Sequence, residues 1–293
     1  MSQNAPLKAS AAKPRPLAAR VWDQSSGKVG TILTAVIVLV AVVGYLFAEV
    51  ITGYSPTEFV GQPFESAGLF GTDDLGRSVA SRFLAGGLAL LWYSVAATLI
   101  GVVLGALMGM VAAYAGGGGI VDSIIMRTND VVLAFPQLIL ALLAIVIFGP
   151  TGWVLVLVIG LTHAPRVARV ARAATLSVTS QDYILAATMY AMPRWQILTR
   201  EIFPNITGPI AVETGLRLTY SIGTIASLSF LGLGMQPPTA DWGLMINENR
   251  IALSIQPWGV LLPVIAIAIL TIGTNLLADA IARATATTAT QTS

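Results

Sequence analysis

The sequence predicts an all-α protein, a polytopic membrane helical bundle with about six transmembrane helices. Three observations carry that prediction. Of its 293 residues, 55% are hydrophobic and only 10% are charged, with a mean hydropathy of +0.79; a soluble domain carries roughly 25% charged residues. Apolar runs such as Thr31–Ala48 and Val95–Tyr114 are long enough to cross a hydrocarbon core about 30 Å thick. The remaining charges gather between such runs, with an excess of Lys and Arg on alternate sides, as in membrane proteins of fixed orientation.

The chain opens with a basic lead over 1–28, in which Lys8, Lys13, Arg15, Arg20 and Lys28 outnumber Asp23. Its Pro- and Ala-rich composition reads as a disordered cytoplasmic tail, and the full-length span that follows argues against a cleavable signal peptide. The first span covers 29–50. The segment 51–87 then carries Glu58, Glu65, Asp73 and Asp74 against Arg77 and Arg82. A second span, 88–114, sets Gly101, Gly105 and Gly109 four apart on one face, the spacing that lets helices approach closely in lipid. Gly116–Gly119 breaks the helix, and a short polar link with Asp122, Arg127 and Asp130 leads into the third span, 129–149. Pro136 should kink that span.

The fourth span, 151–172, ends in Arg166, Arg169 and Arg172, a charged stripe suited to lipid headgroups or to a partner protein. The fifth, 207–231, contains Glu213 and Arg217, whose spacing allows an ion pair on one helix face. Charges at that depth face the protein interior or a water-filled path, and the sequence leaves structural pairing and pathway lining both open. The sixth span covers 257–282, followed by a short tail, 284–293. The positive-inside rule puts both termini and the 173–206 loop in the cytoplasm, with 51–87 and 232–256 outside.

The most polar insert between spans is Asp182–Asn205, DYILAATMYAMPRWQILTREIFPN. Asp182–Tyr190 suits a helix, and Met192–Pro193 interrupts it. A second short helix through about Phe203 is expected, ended by Pro204–Asn205. Such a hairpin is either a docking knob for a soluble partner or an unpartnered surface amphipath.

This insert resembles the EAA loop of ABC importer permeases, which couples the membrane subunit to an ATP-binding subunit. Ala186, Ala187, Ile202, Pro204 and Asn205 stand in register with that pattern, while Leu185 takes the acidic position, Ala191 the glycine, and Glu201 a position where this class often has histidine. An alanine enters the positive-φ region less cheaply than glycine, so Pro193 is expected to shape the turn instead. Gly71-Thr72-Asp73-Asp74-Leu75-Gly76-Arg77-Ser78 is similar to the G-T-D-x-x-G-R-D segment of the dipeptide/oligopeptide/nickel class, with Ser78 for the last Asp. Leu228-Ser229-Phe230-Leu231-Gly232-Leu233-Gly234, then Gln236-Pro237-Pro238 and Trp242-Gly243, is similar to a second signature of that class, and Pro257-Trp258, Pro263 and Asn275–Asp279 continue the register.

The resemblance implies a type I ABC importer permease fold over 29–283, with a cytoplasmic coupling loop at 176–206, and import of di- or oligopeptides. It also implies a bacterial inner-membrane location, a homologous second permease, one or two cytoplasmic ATP-binding subunits that use ATP and Mg, and an extracytoplasmic substrate-binding protein. Asp182, Ala186, Ala187, Tyr190, Ala191, Pro193, Arg200, Glu201, Pro204 and Asn205 are the implied coupling residues. Asp73, Asp74, Arg77 and Trp242 are outer-face motif residues, Trp242 being expected as an interfacial aromatic in a loop that is either a lid over the bundle or an ordered connector.

No cofactor, metal or catalytic residue is expected on this chain, and no nucleic-acid partner. It has no cysteine, one histidine (His163) and no phosphate-binding Gly-x-x-x-x-Gly-Lys-Ser/Thr loop. Asp73 and Asp74 read as an exposed turn with no nucleophile near. The competing readings are an ion-coupled secondary transporter, an importer of nickel, glutathione or another peptide-like substrate, and a membrane scaffold that transports nothing.

Overall fold

The computed structural model describes residues 16–289; Lys8, Lys13 and Arg15 of the basic lead, and the last four residues, lie outside them. The described chain is helical, in the order α1 (Leu17–Trp22), α2 (Ser25–Thr52), α3 (Val79–Tyr114), α4 (Ile120–Leu133), α5 (Gln137–Phe148), α6 (Gly152–Thr179), α7 (Asp182–Met189), α8 (Arg194–Gln196), a π-helical turn (Ile197–Ile202), α9 (Phe203–Phe230), α10 (Trp242–Asn249) and α11 (Trp258–Ala289).

Every expected span falls on helix, with three differences. The third is two helices, α4 and α5, that meet at 82°; Pro136 is the N-cap of α5, so its missing N–H falls where no helical bond is needed. Among the described residues, α2, α3, α6 and α11 are each long and apolar enough to cross a bilayer, and the bent α4–α5 pair is a fifth if it forms one broken span rather than a re-entrant loop. The fifth expected span, α9, is long but less apolar: it turns Glu213, Arg217, Ser221 and Ser229 inward. It is a core helix, packed by α3, α6, α10 and α11.

The ends of the spans also move. Residues 17–22 and 25–28, expected as tail, are helical: Leu17 and Val21 pack against Ala280, Ala284 and Ile281, and Arg20 Nη1 donates to the Ala284 carbonyl at 3.0 Å. The C-terminal tail is helical as far as Ala289. α3 begins at Val79 rather than near 88, because Ser78 caps it by accepting the Ser81 N–H. Aspartate and serine do that job about equally well, which explains why Ser78 can replace the last Asp of the motif.

The core is built on α3 against α6. A Cβ at Gly101, Gly105 or Gly109 would lie 2.8, 2.5 or 2.4 Å from the carbonyls of Gly160, Ala164 and Ala168. The four-residue spacing on one helix thus meets a four-residue spacing on the other, and the two backbones touch over successive turns. Around this seam, Leu90, Ala97, Leu155, Val156, Ile159, Ile222, Ile225, Leu228 and Leu270 form a continuous buried cluster. The bundle has two chemically distinct ends. One gathers α1, α7, α8, the start of α9 and the end of α11; the other gathers residues 53–78, α10 and the start of α3.

Candidate functional site

At the first end, α7 and the segment after it form a knob. Ile184, Ala187, Ile197 and Ile202 point inward onto Ala106, Met110, Val167 and Ala171. The outward side is apolar as well: Tyr183, Leu185, Met189, Tyr190 and Trp195 are exposed, Tyr190 by 84%. Asp182, Ala186, Ala191, Pro193, Arg200, Pro204 and Asn205 are exposed too, Glu201 is half-buried, and Ala187 is buried. Of the ten residues read as coupling residues, only Ala187 therefore belongs to the core.

The turn after α7 departs from expectation. Ala191 does adopt positive φ, +55°. The Met192 N–H donates to the Ala187 carbonyl at 3.2 Å and the Ala191 N–H to that of Thr188 at 3.0 Å, the pair of bonds that defines a Schellman cap. Ala191 occupies the position where that cap favours glycine, so the conformation survives the substitution, and Pro193 does not replace it. Pro193 instead starts α8 as its N-cap. Nor do Pro204 and Asn205 end a helix. The π-helical turn runs directly into α9, where Pro204 sits in the first turn, a position that tolerates proline, while Asn205 Nδ2 donates back to the Glu201 carbonyl at 2.6 Å.

Two of the three arginines in the stripe on α6 meet acids of the chain itself. Arg172 grips Asp122 with two bonds of 2.5 Å, and Arg169 reaches Asp130 at 2.5 Å. The polar link after the glycine run is thereby clamped to the end of α6; the Gly118 N–H adds a bond to Asp122 at 2.7 Å.

At the opposite end the turn of Asp73 and Asp74 is not the exposed segment its composition suggests. Asp73 is fully buried. Its Oδ2 accepts from Arg77 Nε at 2.8 Å and from Arg82 Nη1 at 2.5 Å, while Oδ1 accepts the N–H groups of Leu75 and Arg77. Glu248 of α10 completes the cluster, 2.7 Å from Arg82 Nη1 and 3.6 Å from Arg77 Nη2, and Asp74 lies 3.3 Å from Arg77. Two guanidinium groups thus answer three carboxylates, and the network ties the outer turn, α3 and α10 together. Trp242, expected at an interface, has no exposed surface. Its Nε1 donates to the Phe83 carbonyl at 2.8 Å, and its ring stacks on Phe83 at 5.5 Å. The slot exists because Gly87 has no side chain; a Cβ there would lie 2.5 Å from Trp242 Cζ2. Asp241 caps α10 by accepting the Leu244 N–H at 3.0 Å, and burial pushes its carboxyl pKa up against that bond.

Between the two ends lies a cluster that the sequence reading missed. Glu213 and Arg217 form the expected pair, 2.8 Å apart and both buried. One turn on, Ser221 Oγ lies 3.0 Å from His163 Nε2 of α6 and 3.0 Å from Thr98 Oγ1 of α3. The available signal was His163, the one histidine of the chain, at mid-span of α6.

Residues 101–287 match the family described as binding-protein-dependent transport system inner membrane component. The chain belongs to that family. It is 38% identical over 214 residues to the glutathione transport system permease protein of Pectobacterium atrosepticum, covering 73% of this chain and 70% of the relative. It is 33% identical to the dipeptide transport system permease protein of Alkalihalophilus pseudofirmus over 72% of this chain and 68% of that one. The oligopeptide transport system permease protein of Bacillus subtilis is 31% identical over 86% and 82%. As a membrane-embedded transport component, the permease has a role that needs no catalytic residue of its own.

Proposed function

We propose that this permease is one half of the translocation path of an ATP-driven importer of di- or oligopeptides. The observation that carries the reading is the knob at Asp182–Asn205: a capped short helix, rigid on its inner side and apolar on its outer side. A solvent-facing apolar surface of this kind marks a protein contact, and it fits a groove on an ATP-binding subunit. Arg20, Arg127, Arg194, Arg200 and Arg283 surround this end, whereas Glu58, Glu65, Asp73 and Asp74 mark the other, which supports a cytoplasmic knob and cytoplasmic termini. The peptide substrate follows the relatives named for dipeptide and oligopeptide transport. A homologous permease completes the path, ATP and Mg act on the partner ATPases, and a binding protein delivers substrate to the end that carries α10.

The mechanism then needs only rigid-body motion. Closure of the ATPase subunits on nucleotide moves the knob, and the packed bundle rocks between outward- and inward-open arrangements. The test is at exposed positions, since Ala187 is buried and a large residue there would disturb the fold. Ala186→Arg and Tyr190→Asp should abolish co-purification with the ATPase and peptide uptake while leaving the partner permease bound. Unchanged co-purification and uptake would sink the coupling reading. Uptake into proteoliposomes that persists without ATP and collapses with the ion gradient would favour a secondary transporter instead.

A further inference from the structure

Two of the three arginines along α6 are matched by acids on α4; Arg166 is not. It is exposed, and no carboxylate pairs with it among the described residues. It sits one turn beyond His163 on α6, as Arg217 sits one turn before Ser221 on α9, and the His163–Ser221 bond between these antiparallel helices sets the two arginines at one level. Arg217 lies fourteen residues past Phe203 and thirteen before Phe230, the middle of α9, so it sits about 20 Å from either end of that helix. It is 6% exposed. Glu213 is close to its Nε, but the alignment is poor: neither Nε nor Nη1 has a hydrogen-bond partner. The exposed Tyr220 ring lies 4.9 Å from the guanidinium carbon, and one turn on Ser221 is tied to His163 and Thr98 by hydrogen bonds.

Glu213, Arg217 and Arg166 together carry one excess positive charge. Glu213 offsets the charge of Arg217 but leaves its Nε and Nη1 without a hydrogen bond, and buried donors are costly until an acceptor meets them. A lipid headgroup stays near the bilayer surface, whereas a transported solute crosses this depth. Every unmodified peptide carries a C-terminal carboxylate, whatever its side chains, and a guanidinium reads a carboxylate through paired N–H donors. We infer that Arg217, seconded by Arg166, is a binding point for the C-terminal carboxylate of a peptide in transit. The inference rests on the peptide-import reading above. Tyr220, beside the same guanidinium, offers the adjoining side chain an aromatic face.

The test uses the full importer in proteoliposomes with its binding protein, and compares a peptide with the same peptide amidated at its C-terminus. Binding-protein affinity for each form is measured separately, so that uptake is compared at equal occupancy. Arg217→Gln should lower uptake of the free acid by tenfold or more and leave uptake of the amide within twofold of wild type. Arg166→Gln, at an exposed position that the fold does not need, should do the same to a smaller degree. Equal losses for acid and amide in both variants would overturn the carboxylate site, since a merely structural role does not distinguish the two substrates. So would restoration of acid uptake by Glu213→Gln combined with Arg217→Gln, which would make the pair a matter of charge balance alone. A wild-type complex that imports neither form overturns the peptide reading itself.

Discussion

Replacing Ala191 by glycine should strengthen the turn that ends α7. The two cap bonds, Met192 N–H to Ala187 and Ala191 N–H to Thr188, require the residue at 191 to hold φ near its observed +55°. An L-residue in that region is disfavoured by about 1–2 kcal/mol relative to one without a Cβ. Glycine gives back about 0.5–1 kcal/mol because its unfolded chain has more freedom to lose. The net gain is about 0.5–1 kcal/mol, which shifts the opening equilibrium of the turn roughly two- to fivefold. Valine changes the balance in the other direction, since a β-branched residue at positive φ is an outlier. Amide hydrogen exchange on the solubilised complex reads this directly, because Ala191 and Met192 are the donors of the cap bonds. Protection at 191 and 192 should rise in Ala191→Gly and fall in Ala191→Val. Valine matching alanine, or glycine lowering protection, would refute the assignment of strain to this residue.

Four further outcomes follow from the packing and the charges. Gly105→Leu should prevent accumulation of the folded protein, because even a Cβ there meets the Ala164 carbonyl at 2.5 Å; membrane yield and gel-filtration profile check it. Arg82→Met leaves the buried Asp73 and the half-buried Glu248 with one guanidinium between them, and loss of one partner from such a network should destabilise by about 3–5 kcal/mol, read as a lowered thermal midpoint. Trp242→Phe removes the bond to the Phe83 carbonyl and part of the ring, for a combined loss of about 2–3 kcal/mol in the same assay. Asp241→Asn keeps an N-cap acceptor but removes the carboxyl that burial pushes up. With the folded pKa above the unfolded one, the wild type loses stability as pH rises from the unfolded value through the folded one; the asparagine variant should lack that decline in thermal midpoints measured across the acid range.

What the sequence made legible was whatever repeats at short range. Gly101, Gly105 and Gly109 advertise a close helix contact because the period lies within one helix. The spans and the break at Pro136 were legible for the same local reason. Asp73 and Trp242 were misplaced at the surface because their burial depends on partners far along the chain: Glu248 is 166 residues from Arg82, and Phe83 is 159 residues from Trp242. Turn-forming neighbours such as Gly71 and Gly76 speak for exposure, and nothing local contradicts them. The early start of α3 has the same origin, since Arg82 makes the segment look polar until its charge is answered. At Ala191 the register of the motif was legible but the backbone was not, because the cap bonds hold a conformation that residue preference opposes.

These features bear on how force could cross the molecule under the proposed function. The knob rests on the end of α3 through Met110 and on the second half of α6 through Val167 and Ala171. At the far end of α3 the charge network and Trp242 fix α10 and the outer turn to its first turns. Between them the glycine seam leaves no layer of flexible side chains to absorb a displacement, and close-packed backbones resist shear better than interdigitated long side chains do. α3 and α6 therefore act as one strut, rigid over their shared length, with the knob at one end and the substrate-facing network at the other. The Glu213–Arg217 cluster lies alongside that strut on α9, which meets it through the Thr98–Ser221–His163 bonds and apolar packing. Hydrogen bonds between hydroxyls and an imidazole re-form at small displacements, whereas the glycine seam does not slide. Motion is thus expected between α9 and the strut, at the depth where Arg217 carries its unused donors.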